Sequence, residues 1–340
     1  MRNLLFAAAL LLAPAARAQE WKCAPGTWKD GVDASINWHA AVRDRDVPVT
    51  LRWPEGAPGR LPVVLVSHGL GGTRNAYEWL GRHLAGHGYV CVHLEHVGSN
   101  FESVRGKGLR SRDAALDAKE RPADVSFALD RLADLDRDHP ALKGRLDLDR
   151  VAIAGHSYGA YTAMACVGAK VSFPPLLRDP DFRDARLKAA VVLSPQPAGT
   201  LGFREDSWKD LVVPVLYVTG TRDAAMDVKD PALRRYAFDH GPAKDSWFLD
   251  IEGANHMTFA GLLDPDLDEH LRWARQAVTA FLDGSLRGDA AAKAWLGSGA
   301  LGRLSGGKAT VAHRTALPAA APAAPPANPA PAEPANPAPR

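Results

Sequence analysis

The sequence predicts an α/β protein built on a doubly wound, mostly parallel sheet with helices on both faces. Near-continuous apolar runs at residues 62–67, 89–94, 189–193, 213–219 and 247–251 have the composition of strands buried on both faces. Segments with apolar residues at helical spacing lie between them, such as Tyr77, Leu80 and Leu84, or Val125, Leu129 and Leu132. Strands that alternate with helices imply parallel pairing through crossovers. A third observation is the run Val151 to Ile153, which ends in Gly155-His156-Ser157-Tyr158-Gly159 and passes at once into a small-residue helix over 158–168.

Taken in order, residues 1–18 carry Arg2, an apolar run and Ala16-Arg17-Ala18, the layout of a secretory signal peptide cleaved near Ala18. The run is too short for a stable bilayer span, so the mature chain is expected without an integral membrane segment and outside the cytoplasm, secreted or periplasmic. Residues 19–44 read as an N-terminal extension, with antiparallel strands at 40–42 and 47–53. Residues 45–285 read as one catalytic domain whose last helix, 267–282, sets Leu271, Ala274, Val278 and Phe281 on one stripe. Residues 286–340 form a C-terminal extension. From 317 onward it is almost wholly Ala, Pro and Asn, a composition too poor in apolar surface to offset chain entropy. That tail is expected to be disordered, either as a spacer or cell-surface contact or as a solvated tail without a partner.

The totals exclude several classes. A chain of 340 residues with 46% hydrophobic and 24% charged residues is of the globular type. A formal net charge of +2, without a Lys/Arg block, gives no reason to expect nucleic acid. Cys23, Cys91 and Cys166 allow at most one disulfide and form no CxxC pair.

The chemistry centres on Ser157. G-x-S-x-G between a strand and a helix is the nucleophile elbow, where glycines two residues either side of the serine permit a bend that a Cβ would block. A serine hydroxyl needs a base, and the base needs an orienting acid. The strand 213–219 is followed by Gly220-Thr221-Arg222-Asp223, and the strand 247–251 by Gly253-Ala254-Asn255-His256. Ser157, Asp223 and His256 are therefore the candidate nucleophile, acid and base, with Asp227 as the alternative acid and Glu252 behind it. Backbone N–H groups of Tyr158 and of Leu70, in the glycine-rich run 68–72, are the candidate oxyanion hole. Activity is expected to fall at acid pH, because an imidazolium cannot accept the Ser157 proton. Long insertions at 98–121, 171–188 and 197–210 are expected to be irregular and to build the pocket, with Phe101, Phe173, Phe203 and Trp208 as walls. Arg105, Lys107, Arg110 and Arg112 make the first insertion basic, either for an anionic substrate or as a solvated loop.

On the stretches 62–72, 94–100, 155–162 and 253–259 the chain resembles the α/β-hydrolase superfamily. Within it, it is similar to secreted bacterial dienelactone hydrolases and, through Glu95-His96, to platelet-activating-factor acetylhydrolases. The likeness covers about residues 45–285. It implies the α/β-hydrolase fold, a serine esterase acting on small or lipid-like carboxylic esters through an acyl-enzyme, and no cofactor. Dienelactone hydrolases carry a cysteine where this chain has Ser157. In the acetylhydrolases the acid follows the strand after the elbow helix, where this chain has Ser194-Pro195, so the acid role falls to Asp223. An amidase, thioesterase or acyltransferase with the same triad, or a catalytically silent secreted binding module, stays open. A zinc site of His83, His87, His93 and His96 is disfavoured, because His93 and His96 fall on opposite faces of a strand. Residues 264–275 lack the glycine and glutamate of a calcium loop. No metal is expected.

Overall fold

The computed structural model describes residues 21–107, 111–175, 180–241 and 245–315. The signal-peptide pattern, the Ala/Pro-rich tail and Arg110 lie outside the described residues, as do the side chains of Lys107 and Arg112. In chain order the elements are β1 (Asp30–Asp33), β2 (Asn37–Ala40), β3 (Arg45–Pro54), β4 (Leu61–Ser67), α1 (Glu78–Gly86), β5 (Val90–Leu94), α2 (Phe101–Lys107), α3 (Ser111–Asp138), β6 (Leu146–His156), α4 (Tyr158–Cys166), β7 (Leu187–Leu193), β8 (Val215–Arg222), α5 (Tyr236–His240), β9 (Ser246–Asn255), α6 (Leu267–Leu286), α7 (Ala290–Gly297), α8 (Ala300–Leu304) and β10 (Ala309–Arg314).

The sheet runs β1-β3-β5-β4-β6-β7-β8-β9-β10, with β2 paired to β3. Neighbours from β5 through β9 are parallel, and the outer pairs β1/β3, β2/β3, β3/β5 and β9/β10 are antiparallel. This is the α/β-hydrolase arrangement that the resemblance implied. Strand periodicity divides the core in two. Val63 and Leu65 of β4 join one apolar cluster, together with α3 and α4, while Val64 and Val66 join the other with α1, α6 and α7. Both faces are thus covered, which is why these strands read as continuous apolar runs.

The N- and C-terminal extensions take part in this sheet. β1 and β2 pair with β3, and β10 lies along β9, so the sheet continues past the boundaries read at 45 and 285. Val42, expected in a strand, lies in a short 3-10 turn with its side chain exposed.

Among the described residues the insertion 98–121 is largely helical rather than irregular: it holds α2 and the opening turns of α3. Residues 111–120 are rich in Ala, Leu, Lys and Glu, good helix formers whose charges obscure an apolar stripe. α3 continues through Pro122, which has no N–H to give the carbonyl of Ala118. Tyr161 of α4 donates to that carbonyl instead, at 3.0 Å, and so ties α3 to the helix that follows the elbow.

Candidate active site

The elbow explains its own glycines. A Cβ at Gly155 would lie 2.0 Å from Gly159 O, and one at Gly159 would lie 2.0 Å from Ser67 O. Ser157 between them holds φ 55° and ψ −117°, a conformation costing a non-glycine residue on the order of 1–3 kcal/mol. The surroundings hold it there. The Ser157 N–H donates to Leu193 O at 3.0 Å, and its carbonyl accepts from Ala160, from Tyr161 and from Gln196 Nε2 at 2.8 Å.

His256 Nε2 lies 3.0 Å from Ser157 Oγ. His256 Nδ1 lies 2.8 Å from Asp223 Oδ1. Asp223 is fully buried, and its second oxygen accepts from Thr219 Oγ1 at 2.9 Å. Asp223 directly follows β8, and His256 directly follows β9, whose partner is β8, so the sheet itself brings the two together. The His256 turn is pinned on both sides. Asn255 Oδ1 accepts from the Met257 and Thr258 N–H groups, and Thr258 Oγ1 bonds Asp264, which also holds His270 Nδ1 at 2.7 Å.

The alternative acid, Asp227, lines the cleft but contacts Gln196 Nε2 at 3.5 Å and Arg234 at 3.7 Å instead of the imidazole. Glu252 is exposed on β9. Arg234 was not foreseen. It is fully buried, donates to the carbonyls of Asp223, Ser194 and Pro195 at 3.1–3.2 Å, and places Nε 3.4 Å from Asp223 Oδ1. Its Nη2 also approaches His256 Nδ1 at 3.3 Å. Both are donors if the imidazole gives its Nδ1 proton to Asp223, so the short contact to the carboxylate governs.

Leu70 and Tyr158 both line the cleft beside Ser157. The loop carrying Leu70 is fixed residue by residue. Gly69 N–H donates to Tyr77 Oη at 3.0 Å, Gly71 N–H to Ser99 O at 2.9 Å, and His68 Nδ1–H to Gly69 O at 2.6 Å. Tyr77 Oη in turn donates to His156 Nδ1 at 2.9 Å, joining this loop to the elbow. A Cβ at Gly69 would lie 3.1 Å from Tyr77 Oη and 3.3 Å from His156 O, so glycine at residue 69 lets the loop pack tightly against Tyr77 and the elbow. Burial, reinforced by His256, holds His156 well below the ordinary histidine range; it stays neutral and adds no second charge under His256, whose ring is 4.7 Å away.

Behind the loop lies a second Ser-His-Asp chain. Ser67 Oγ sits 2.9 Å from His96 Nε2, and His96 Nδ1 sits 3.0 Å from Asp124 Oδ2. All three are buried, and none lines the cleft, so no substrate reaches Ser67. Arg43 and Arg45 neutralise Asp124 at 2.7 and 3.0 Å. Buried Arg121, pushed down to about 10 by desolvation, links Ser67 and the His68 carbonyl to Ser99 and Thr162, and stacks 4.5 Å over the Tyr158 ring. It is still a cation near neutral pH. The cluster thus ties the Leu70 loop to the helix after the elbow.

The cleft over Ser157 has a volume of about 550 Å³, and its walls include Leu201, Met226, Met257, Ala260 and Leu262. The aromatic residues expected there lie elsewhere. Phe203 and Trp208 are buried in a ring cluster with Tyr161 and Tyr236, and Trp208 Nε1 points at Met164 Sδ. These two side chains of the insertion 197–210 fold back onto the core, while Leu201 of the same insertion reaches the cleft. Phe173 packs against that same core, and Phe101 opens α2 half-exposed, outside the cleft lining. Arg105 is exposed. His93 faces α1 at Gly81, whereas His96 faces Asp124, so the two do not converge. No helix among the described residues is long and apolar enough to cross a membrane.

A family model described as platelet-activating factor acetylhydrolase, isoform II, matches residues 34–101. The chain is similar to a cutinase (est2) of Thermobifida alba, at 26% identity over 196 residues, 57% of this chain and 52% of that protein. It is similar to platelet-activating factor acetylhydrolase of Cavia porcellus, at 23% over 249 residues, 63% of this chain and 52% of that protein. The corresponding protein of Bos taurus is 29% identical over 139 residues, 31% of each chain. The chain spans about half the length of the first two of these relatives.

Proposed function

We propose that this α/β-hydrolase is a carboxylic-ester hydrolase that works through Ser157, His256 and Asp223. The observation that carries the reading is the unbroken relay from Ser157 Oγ to His256 Nε2 at 3.0 Å and from His256 Nδ1 to buried Asp223 at 2.8 Å, opening onto an apolar cleft. Relatives named as cutinases and acetylhydrolases support the same bond type.

In this mechanism His256 takes the Ser157 proton as Oγ attacks the ester carbonyl. Asp223 holds the tautomer with Nδ1–H and stabilises the imidazolium. The Leu70 and Tyr158 N–H groups receive the oxyanion, in a loop and elbow already fixed by Tyr77 and Arg121, so little reorganisation accompanies the charge that develops. His256 then protonates the leaving alcohol, and water, activated by the same imidazole, releases the acid. The cleft walls favour an apolar acyl or alcohol group. Export of the chain, from the pattern in residues 1–18, belongs to the same proposal.

The test is hydrolysis of p-nitrophenyl esters from acetate to palmitate by the wild type and by Ser157→Ala. Turnover that the variant lacks supports the reading, and the chain-length optimum sizes the cleft. No turnover of any ester by the wild type contradicts it.

A further inference from the structure

We infer that Cys23, His83 and His87 form a binding site for one zinc-class divalent cation, which clamps the N-terminal segment onto α1. His83, in the last turn of α1, and His87, its C-cap residue, stand one helical turn apart. The sequence candidates for further ligands, His93 and His96, do not converge, and the fold brings Cys23 to the pair instead. Cys23 Sγ and one ring nitrogen from each histidine all lie within 4.8 Å of one another. The Cys23 Sγ to His87 Nε2 separation is 3.8 Å. A tetrahedral zinc bound by one sulfur and one imidazole nitrogen sets those two atoms roughly 3.6 Å apart.

Two further observations point to a cation. His87 Nδ1 lies 2.7 Å from the His83 carbonyl oxygen, and the tautomer that donates there leaves its lone pair on Nε2. That nitrogen faces the Ala24 carbonyl oxygen at 2.9 Å as well as the Cys23 sulfur. In that tautomer three electron-rich atoms converge, an arrangement that a cation stabilises. An imidazole whose other N–H is held by a backbone carbonyl is also the usual pose of a metal-bound histidine. His83 is fixed from a second element, with Nε2 2.7 Å from Thr279 Oγ1 of α6.

The segment bearing Cys23 is docked independently of these side chains. Thr27 and Trp28 N–H groups donate to Gly86 O at 2.7 and 3.3 Å, and a Cβ at Gly26 would lie 2.8 Å from Gly86 Cα. One thiolate and two imidazoles select zinc over calcium or magnesium, with Ala24 O or a water available as fourth ligand; the thiol proton passes to solvent when the metal enters. The neighbouring cavity beside His83 shares no lining residue with the Ser157 cleft, so the site stands apart from the esterase reading.

The experiment is titration of the full, chelator-stripped chain with Co²⁺, followed by displacement with Zn²⁺. The expected result is one equivalent of Co²⁺ giving a thiolate-to-cobalt charge-transfer band and tetrahedral d–d bands, both removed by Zn²⁺. Cys23→Ser abolishes the charge-transfer band, and His87→Gln weakens Zn²⁺ binding by more than about 100-fold, beyond what loss of an outer-sphere partner costs. The histidine variant carries the test if the cysteine variant fails to fold. No charge-transfer band in the wild type, a band that survives Cys23→Ser, or Zn²⁺ affinity unchanged in His87→Gln overturns the inference.

Discussion

Asp223→Asn tests which carboxylate orients the base. The amide is nearly isosteric, so the fold should persist while the charge is lost. Thr219 Oγ1 donates to Asp223 Oδ2 at 2.9 Å, which favours keeping the amide oxygen at that position and turning the NH₂ toward His256 Nδ1. The imidazole must then accept at Nδ1 and carry its proton on Nε2, which removes the lone pair that faces Ser157 Oγ at 3.0 Å. The imidazolium also loses its counter-charge. A swap of this kind in a serine triad costs about 10⁴-fold in kcat, or roughly 5 kcal/mol of transition-state stabilisation. Asp227→Asn, at a position whose polar partners among the described residues are Arg234 and Gln196 at 3.5 Å or more, should cost less than about tenfold, since it removes no contact to the imidazole. Steady-state p-nitrophenyl butyrate hydrolysis, on variants whose thermal melts match the wild type, provides the assay. Asp223→Asn within tenfold of wild type, or Asp227→Asn equally crippled, refutes the assignment of Asp223.

Three other outcomes follow from the same geometry. Tyr77→Phe leaves Gly69 N–H without its acceptor and cuts the tie to His156; it should lower stability by about 1–3 kcal/mol and kcat more than KM, as read by melts and kinetics together. Gly159→Ala drives a Cβ to 2.0 Å from the Ser67 carbonyl, which is backbone and cannot swing aside; a loss of about 1–3 kcal/mol or more is expected in denaturant unfolding, and an unchanged midpoint contradicts the packing argument. Burial holds His93 down to about 4 from 6.5, so it stays neutral in the folded chain while the unfolded chain takes up a proton. Its contribution is present above pH 6.5 and lost as pH falls toward 4, roughly 3 kcal/mol in all, and an unfolding free energy flat across that window excludes it.

Much of the sheet was legible because β4 to β9 are apolar on both faces. The edges were not. β1 is the polar stretch Asp-Gly-Val-Asp, and β10 alternates beside a solvent-exposed edge, so their strand character comes from pairing with β3 and β9. α3 was hidden in part because its charges obscure its stripe and because Pro122 reads as a helix breaker. In the candidate site, the elbow and the two strand-end residues Asp223 and His256 could be found, since this chemistry fixes both residue type and position along a strand. Arg121 and Arg234 could not: each is a buried cation whose partners are largely backbone carbonyls and hydroxyls from distant segments, and no local pattern marks them. Phe203 and Trp208 were misplaced for the converse reason. An aromatic residue in an insertion can close the core as readily as a pocket, and here Tyr161 and Met164 of α4 gave them a core to join.

The central claim is that Ser157 is the nucleophile of a covalent cycle, and a fluorophosphonate probe tests it directly. Labelled protein is digested and the modified peptide located by mass spectrometry, with ester hydrolysis followed in parallel. The account predicts one adduct per chain, on Ser157, with activity lost in proportion to labelling and no adduct in Ser157→Ala. An adduct on another residue, or full labelling of Ser157 with hydrolysis intact, contradicts it.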